Sequence, residues 1–229
     1  MIMNYSIKVN VVKSKDSNVK GYATVVFGDS FKVTKITILE NKEKGELFVS
    51  MPRFRSNEVD SHGNTIYKDV CNPITAEFRE ELYTNILTAY ENTVAKNRTE
   101  TKAEEQVREE PSFSVGVTPY EREGSNIRGL ARIYLEDQFV VSNVNILQGK
   151  EKLFVAMPSY KTKQTDKNGN PTYQDVCYPV TKEFREKLYK EIEQEYEKKV
   201  QEQKQNRGSN ERSSDTPIHS EDRGSTPFR

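Results

Sequence analysis

The 229-residue chain has no tryptophan, two cysteines, two histidines and a formal net charge of zero. Each scarcity excludes a class of chemistry. Cys71 and Cys177 fall one to each half, so a disulfide within a half is impossible; both read as small buried thiols in a reducing cytosol. A catalytic thiol would want a histidine partner. His62 and His219 do not recur between the halves, and no metal cluster can be assembled from them, so neither metal nor cofactor is expected. No apolar stretch approaches the roughly 20 residues of a membrane span. The start Met1-Ile2-Met3-Asn4 lacks the charged n-region of a signal peptide, and a cytoplasmic location is expected. Hydrophobic content is low at 34%, with much of the shortfall in two polar segments. Acidic and basic side chains nearly balance in both halves, so gross charge announces no nucleic-acid partner. Any such site must be a local patch.

What is present is one block written twice. Leu47-Phe48-Val49-Ser50-Met51-Pro52 returns as Leu153-Phe154-Val155-Ala156-Met157-Pro158. Tyr67, Asp69-Val70-Cys71, Pro73, Thr75 and Phe78-Arg79 return at Tyr173, Asp175-Val176-Cys177, Pro179, Thr181 and Phe184-Arg185, always 106 residues on. Upstream, Gly21, Ala23 and Phe31 match Gly129, Ala131 and Phe139 with two residues more. The boundaries read as a first domain over 1–96, a charged linker over 97–111, a second domain over 112–204 and a disordered tail over 205–229. The linker either extends the first helix or forms a flexible connection. The tail, rich in Gln, Asn, Ser, Arg and Gly, buries too little apolar surface to offset ordering entropy.

Each copy reads as strands first and one helix last. Tyr5 to Val12 alternates, and Gly21 to Phe27 and Phe31 to Leu39 are β-branched and aromatic runs around the turn Gly28-Asp29-Ser30. Their counterparts are 113–118, 127–135 and 139–147, with Glu136-Asp137-Gln138 at the bend. A strand over 47–51 or 153–157 ends at Pro52 or Pro158. A polar loop follows, turning at Gly63-Asn64 or Asn168-Gly169-Asn170, then a short extended piece over 67–71 or 173–177. Thr75 and Thr181 are plausible N-caps. Phe78, Leu82, Ile86 and Tyr90 recur every four residues, as do Phe184, Leu188, Ile192 and Tyr196, which describes a helix laid on a sheet.

Phe139 to Leu147, the Leu153-to-Ser159 string, and Asp175-Val176-Cys177-Tyr178-Pro179-Val180 resemble the stage V sporulation protein G family, the bacterial septation regulators. The likeness covers about 80 residues in each copy and is stronger in the second. It implies an α+β fold without enzymatic activity, and a role in septum formation and sporulation exerted through DNA, and also RNA, binding. Family members pair as homodimers. Two tandem copies therefore imply an intramolecular pseudo-dimer of two antiparallel sheets, each followed by a long helix.

The resemblance places basic residues just after the Met-Pro, at Arg53 and Arg55 or Lys161, and at the helix start, at Arg79 or at Arg185 with Lys187. Glu81 stands where the second copy has Lys187. A phosphate at the helix start would meet a guanidinium and backbone donors; the alternative is a surface ion pair with Glu80 or Glu186. Arg53, Arg55, Lys161 and Lys163 flank Phe54 and Tyr160, which suits a nucleic-acid strand. The alternative is a mobile polar loop with its aromatic tucked onto the sheet. Asp69 and Asp175 make poor acid–base machinery on their own and read as turn or cap hydrogen bonds. The expected function is a nucleic-acid-binding regulator with no membrane or small-molecule partner. A protein-interaction adaptor is the alternative, favoured by the balanced charge. An enzyme is disfavoured by the missing nucleophile–base pair.

Overall fold

The computed structural model describes residues 3–14, 16–96, 109–121 and 123–212, with side-chain surroundings through residue 206. The first copy forms β1 (Tyr5–Val11), β2 (Val19–Phe27), β3 (Phe31–Glu40), β4 (Leu47–Ser50), β5 (Arg53–Val59), β6 (Thr65–Asp69), β7 (Cys71–Pro73) and α1 (Ala76–Ala95). The second repeats the order as β8 (Phe113–Pro119), β9 (Ile127–Leu135), β10 (Phe139–Gln148), β11 (Leu153–Ala156), β12 (Ser159–Thr165), β13 (Pro171–Asp175), β14 (Cys177–Pro179) and α2 (Lys182–Arg212).

The second strand of each copy meets the third through a tight turn, residues 28–30 or 136–138, in which the Ser30 N–H donates to the Phe27 carbonyl and the Gln138 N–H to that of Leu135, both at 2.9 Å. Gly28 and Asp29 both have positive φ, as do Glu136 and Asp137, the backbone of a type I′ hairpin. Gly28 carries a second constraint. A Cβ there would lie 2.1 Å from the carbonyl oxygen of Glu109, where the chain entering the second copy crosses this turn.

The third strand of each copy is longer than its own partner can cover. β4 pairs with β3 over Thr37–Glu40 and leaves the Phe31–Val33 end open. β14 of the other copy fills that gap, Cys177 opposite Val33 and Pro179 opposite Phe31. Reciprocally, β7 pairs with β10, Cys71 opposite Val141 and Pro73 opposite Phe139. Thus each sheet holds four strands of its own copy and one lent by the other. The joint is extended by Thr34 N–H donating to the Val176 carbonyl and Ser142 N–H to that of Val70, both at 2.8 Å.

The helices return to their own sheets. Thr75 and Thr181 cap them, each Oγ1 accepting from an N–H three residues on at 3.3 Å. Phe78, Leu82 and Ile86, with Phe184, Leu188 and Ile192, are buried as the periodicity requires. Gly21 and Gly129 exist for this packing: a Cβ would come within 3.3 Å of Tyr90 in one copy and 3.1 Å of Tyr196 in the other. The tyrosine stripe is therefore core contact. One continuous core spans both copies. Phe27 meets Phe139 at 4.9 Å between ring centroids, and Phe31 meets Phe184 at 6.2 Å, each pair joining one copy to the other.

Two sequence expectations differ from the structure. The polar loop after Met-Pro is a β-hairpin, β5 with β6 or β12 with β13. Only one apolar side chain, Phe54 or Tyr160, lies on the inner face of its first strand, too few to give a period-two signal. Helix α2 continues through Arg212, past the start of the segment read as disordered; its composition there, with Gly208, Ser209 and two Asn, does not favour a helix, and the segment extends one already nucleated upstream. The expectations for 97–108 and 213–229 lie outside the described residues.

Candidate nucleic-acid interface

Each hairpin is closed by a carboxylate that the sequence reading did not single out. Asp60 Oδ1 accepts from the His62 and Asn64 N–H groups at 2.9 and 2.8 Å, and Oδ2 from the Asn64 side chain. Asp166 does the same with Asn168 and Asn170. The Asn64 and Asn170 side-chain amides, followed by the backbone donors, hold both carboxyls below their ordinary range. Gly63 and Gly169 supply the positive φ of the tip, at 78° and 81°.

Within the ribbon, directly opposed residues share a face. Arg55 lies opposite Tyr67, and Lys161 opposite Tyr173. The two tyrosines are 60% and 66% exposed. Phe54 and Tyr160, on the other face, pack against the core instead. The aromatics beside the exposed cations are thus Tyr67 and Tyr173, not those the sequence reading chose. Strand register could have found them, had the loop been read as a hairpin.

The sequence-predicted cations fall into three groups. Arg53 is committed to Asp69, Nε to Oδ1 at 2.8 Å. Lys187 is committed to Glu110 at 2.7 Å. Arg79 and Arg185 donate to the carbonyls of Pro73 and Pro179, at 3.1 and 3.2 Å, rather than pairing with Glu80 or Glu186. Each guanidinium thereby ties the helix start to the lent strand before it. Arg55, Lys161 and Lys163 are exposed and have no acidic partner among the described residues. Glu81, at the Lys187 position, accepts a hydrogen bond from Tyr5 Oη at 2.8 Å.

The copies diverge at the base of the hairpin. Ser159 stands opposite Asp175 where Arg53 stands opposite Asp69. Partial burial pushes the Asp175 carboxyl up. Burial also raises Tyr83 and Tyr189, partly offset by Arg79 and Arg185 nearby. Cys71 and Cys177 are free and fully buried. The Cys177 thiol beside it, together with burial, pushes Cys71 well above its ordinary value. Among the described residues no three His, Cys, Asp or Glu side chains are grouped as a metal site would need, and no helix is long and apolar enough to cross a membrane.

These features define a duplicated α+β protein whose halves exchange a strand and whose paired ribbons present cations beside tyrosines to solvent. A family model described as SpoVG matches residues 3–92 and again 112–198. The chain belongs to the SpoVG family, with two tandem copies of its domain. It is similar to the septation protein SpoVG of Treponema denticola, 35% identical over 75 residues, which is 33% of this chain and 74% of that protein. The protein of the same name from Lachnospira eligens is 33% identical over 84 residues, 37% of this chain and 88% of the relative. That from Phytoplasma australiense is 36% identical over 73 residues, 32% and 70% of the two chains. Each match thus spans one copy's worth of chain and most of a relative.

Proposed function

We propose that this chain is a non-enzymatic cytoplasmic regulator of cell septation and sporulation that contacts the phosphates of DNA, and also RNA, through its hairpin ribbons and helix starts. Internal pairing of the copies takes the place of a homodimer. The septation role is supported by the names of the relatives. The binding role is supported chiefly by one observation: Arg55 beside Tyr67, and Lys161 beside Tyr173, exposed and without acidic partners among the described residues. A cation for phosphate and a ring for a base is the pairing that nucleic-acid strands use. Arg53 and Lys187, already ion-paired, contribute less in this reading than Arg55, Lys161 and Lys163.

Fluorescence anisotropy with labelled oligonucleotides at about 50 and 200 mM salt tests this, since phosphate-driven affinity falls steeply over that range. Lys161→Ala should lower the slope of log affinity against log salt by about 1. Tyr173→Ala should weaken binding at both salts with little change of slope. Absence of binding by the unaltered chain at low salt would contradict the reading and leave the protein-interaction adaptor, which the balanced charge favours.

A further inference from the structure

The first hairpin crosses the second copy's sheet and leaves a groove of about 1170 Å³, larger than the usual small-molecule pocket. One wall is β5 and β6, with Phe54 and Arg55. The other includes Tyr120, Arg132 and Tyr134, with Arg132 on the β9 face that points away from α2. The carboxylates that line it are already satisfied: Glu58 by Lys68, Asp69 by Arg53 and Glu195 by Lys199. Arg55 and Arg132 have no acidic partner among the described residues.

The corresponding crossing on the first sheet is built differently. There Lys35 reaches across, its Nζ 4.8 Å from the ring centre of Tyr160 and 5.7 Å from that of Tyr22. In the second sheet Asn143 stands at the Lys35 position, with the same left-handed backbone, and its short side chain cannot span the gap to Phe54. The wall positions differ too. Tyr120, Arg132 and Tyr134 replace Val12, Thr24 and Val26. Space, a free guanidinium and tyrosine rings coincide on one sheet.

We infer that this groove binds a single-stranded segment of nucleic acid, with Arg132 and Arg55 on phosphates and Tyr134 and Tyr120 under bases. A duplex keeps its base faces stacked inside, so rings in a groove serve an unpaired strand. The inference rests on the nucleic-acid reading above and adds the form of the ligand and a second site, one that shares Arg55 with the tyrosine face of the first ribbon.

The test is anisotropy with one fluorescein-labelled oligonucleotide, single-stranded and annealed to its complement. Unaltered protein should prefer the single strand. Arg132→Glu and Tyr134→Ala should each weaken that binding by ~5-fold or more, the scale of one lost stacking or charge contact. Tyr134→Phe should retain it, because the ring and not the hydroxyl is used. Thermal melts run beside each variant; if Tyr134→Ala does not fold, exposed Arg132→Glu decides. Equal affinity for both oligonucleotides, or full single-strand binding by Arg132→Glu while Lys161→Ala is weakened, would overturn the groove and spare the wider reading. No binding of either oligonucleotide by the unaltered chain would overturn both.

Discussion

Asp69 and Asp175 hold the same place in the repeat yet live under different electrostatics. Asp69 faces Arg53, whereas Asp175 faces Ser159 and is partly desolvated. Its folded-state pKa is raised, so the charged form is disfavoured in the native protein. That penalty is present above the folded pKa and vanishes below the unfolded one. Asp175→Asn should therefore raise the melting temperature at pH 7, with the gain shrinking as pH falls through the carboxylate range. Asp69→Asn should not stabilise, since it removes the Arg53 partner. Thermal melts over pH 3–8 check both, and a constant gain at all pH values would refute the burial explanation. At this scale the sequence was informative where chemistry is local. Thr75 and Thr181 announced themselves as caps, and Arg79 and Arg185 as helix-start residues. What those arginines bind was not legible, because the Pro73 and Pro179 carbonyls belong to strands that leave for the other sheet. Neither was the meeting of Cys71 and Cys177, residues distant in sequence that only the strand exchange brings together.

Among the elements, the hairpins most altered the reading of the site. A ribbon with a single core-facing aromatic, Phe54 or Tyr160, shows almost no hydrophobic alternation, so the composition of β5 and β12 suggests loops. The turn chemistry was nonetheless in view: Gly63-Asn64 and Gly169-Asn170 mark the tips, organised by Asp60 and Asp166. Nothing lies within 4 Å of a Cβ built at Gly63, so a substitution there is resisted by backbone conformation and not by space. Gly63→Ala should cost about 1–2 kcal/mol, the penalty of a left-handed non-glycine residue. The loss should appear as faster amide exchange over 53–69 while the global transition moves little. Uniform loss of protection throughout both sheets would show instead that the hairpin is integral to the core. The first four strands of each copy, the hairpin turn between the second and third, and both helices followed from periodicity and turn residues. The lent strands β7 and β14 did not, because three-residue segments ending in proline carry too little pattern to name a partner.

As a whole, the molecule has one core rather than two. Phe27 and Phe139 touch across the copies, and each third strand depends on the other copy for an edge. The repeat was legible from the 106-residue offset, and pairing of the copies followed from the family resemblance. Exchange was not, since nothing local distinguishes a strand that stays from one that crosses. Phe139→Ala should cost about 3–5 kcal/mol, as emptying a core aromatic site does. Both sheets should melt together in one transition, as read by circular dichroism and by amide exchange in each copy. Loss of the second copy with the first left intact would contradict a shared core. The central claim is that β7 and β14 are exchanged within one chain. Light scattering on the purified full chain tests it most directly. A mass of 26.4 kDa, unchanged on dilution, is the predicted result. A particle of twice that mass at every concentration would mean that the strands are exchanged between two chains, and would contradict it.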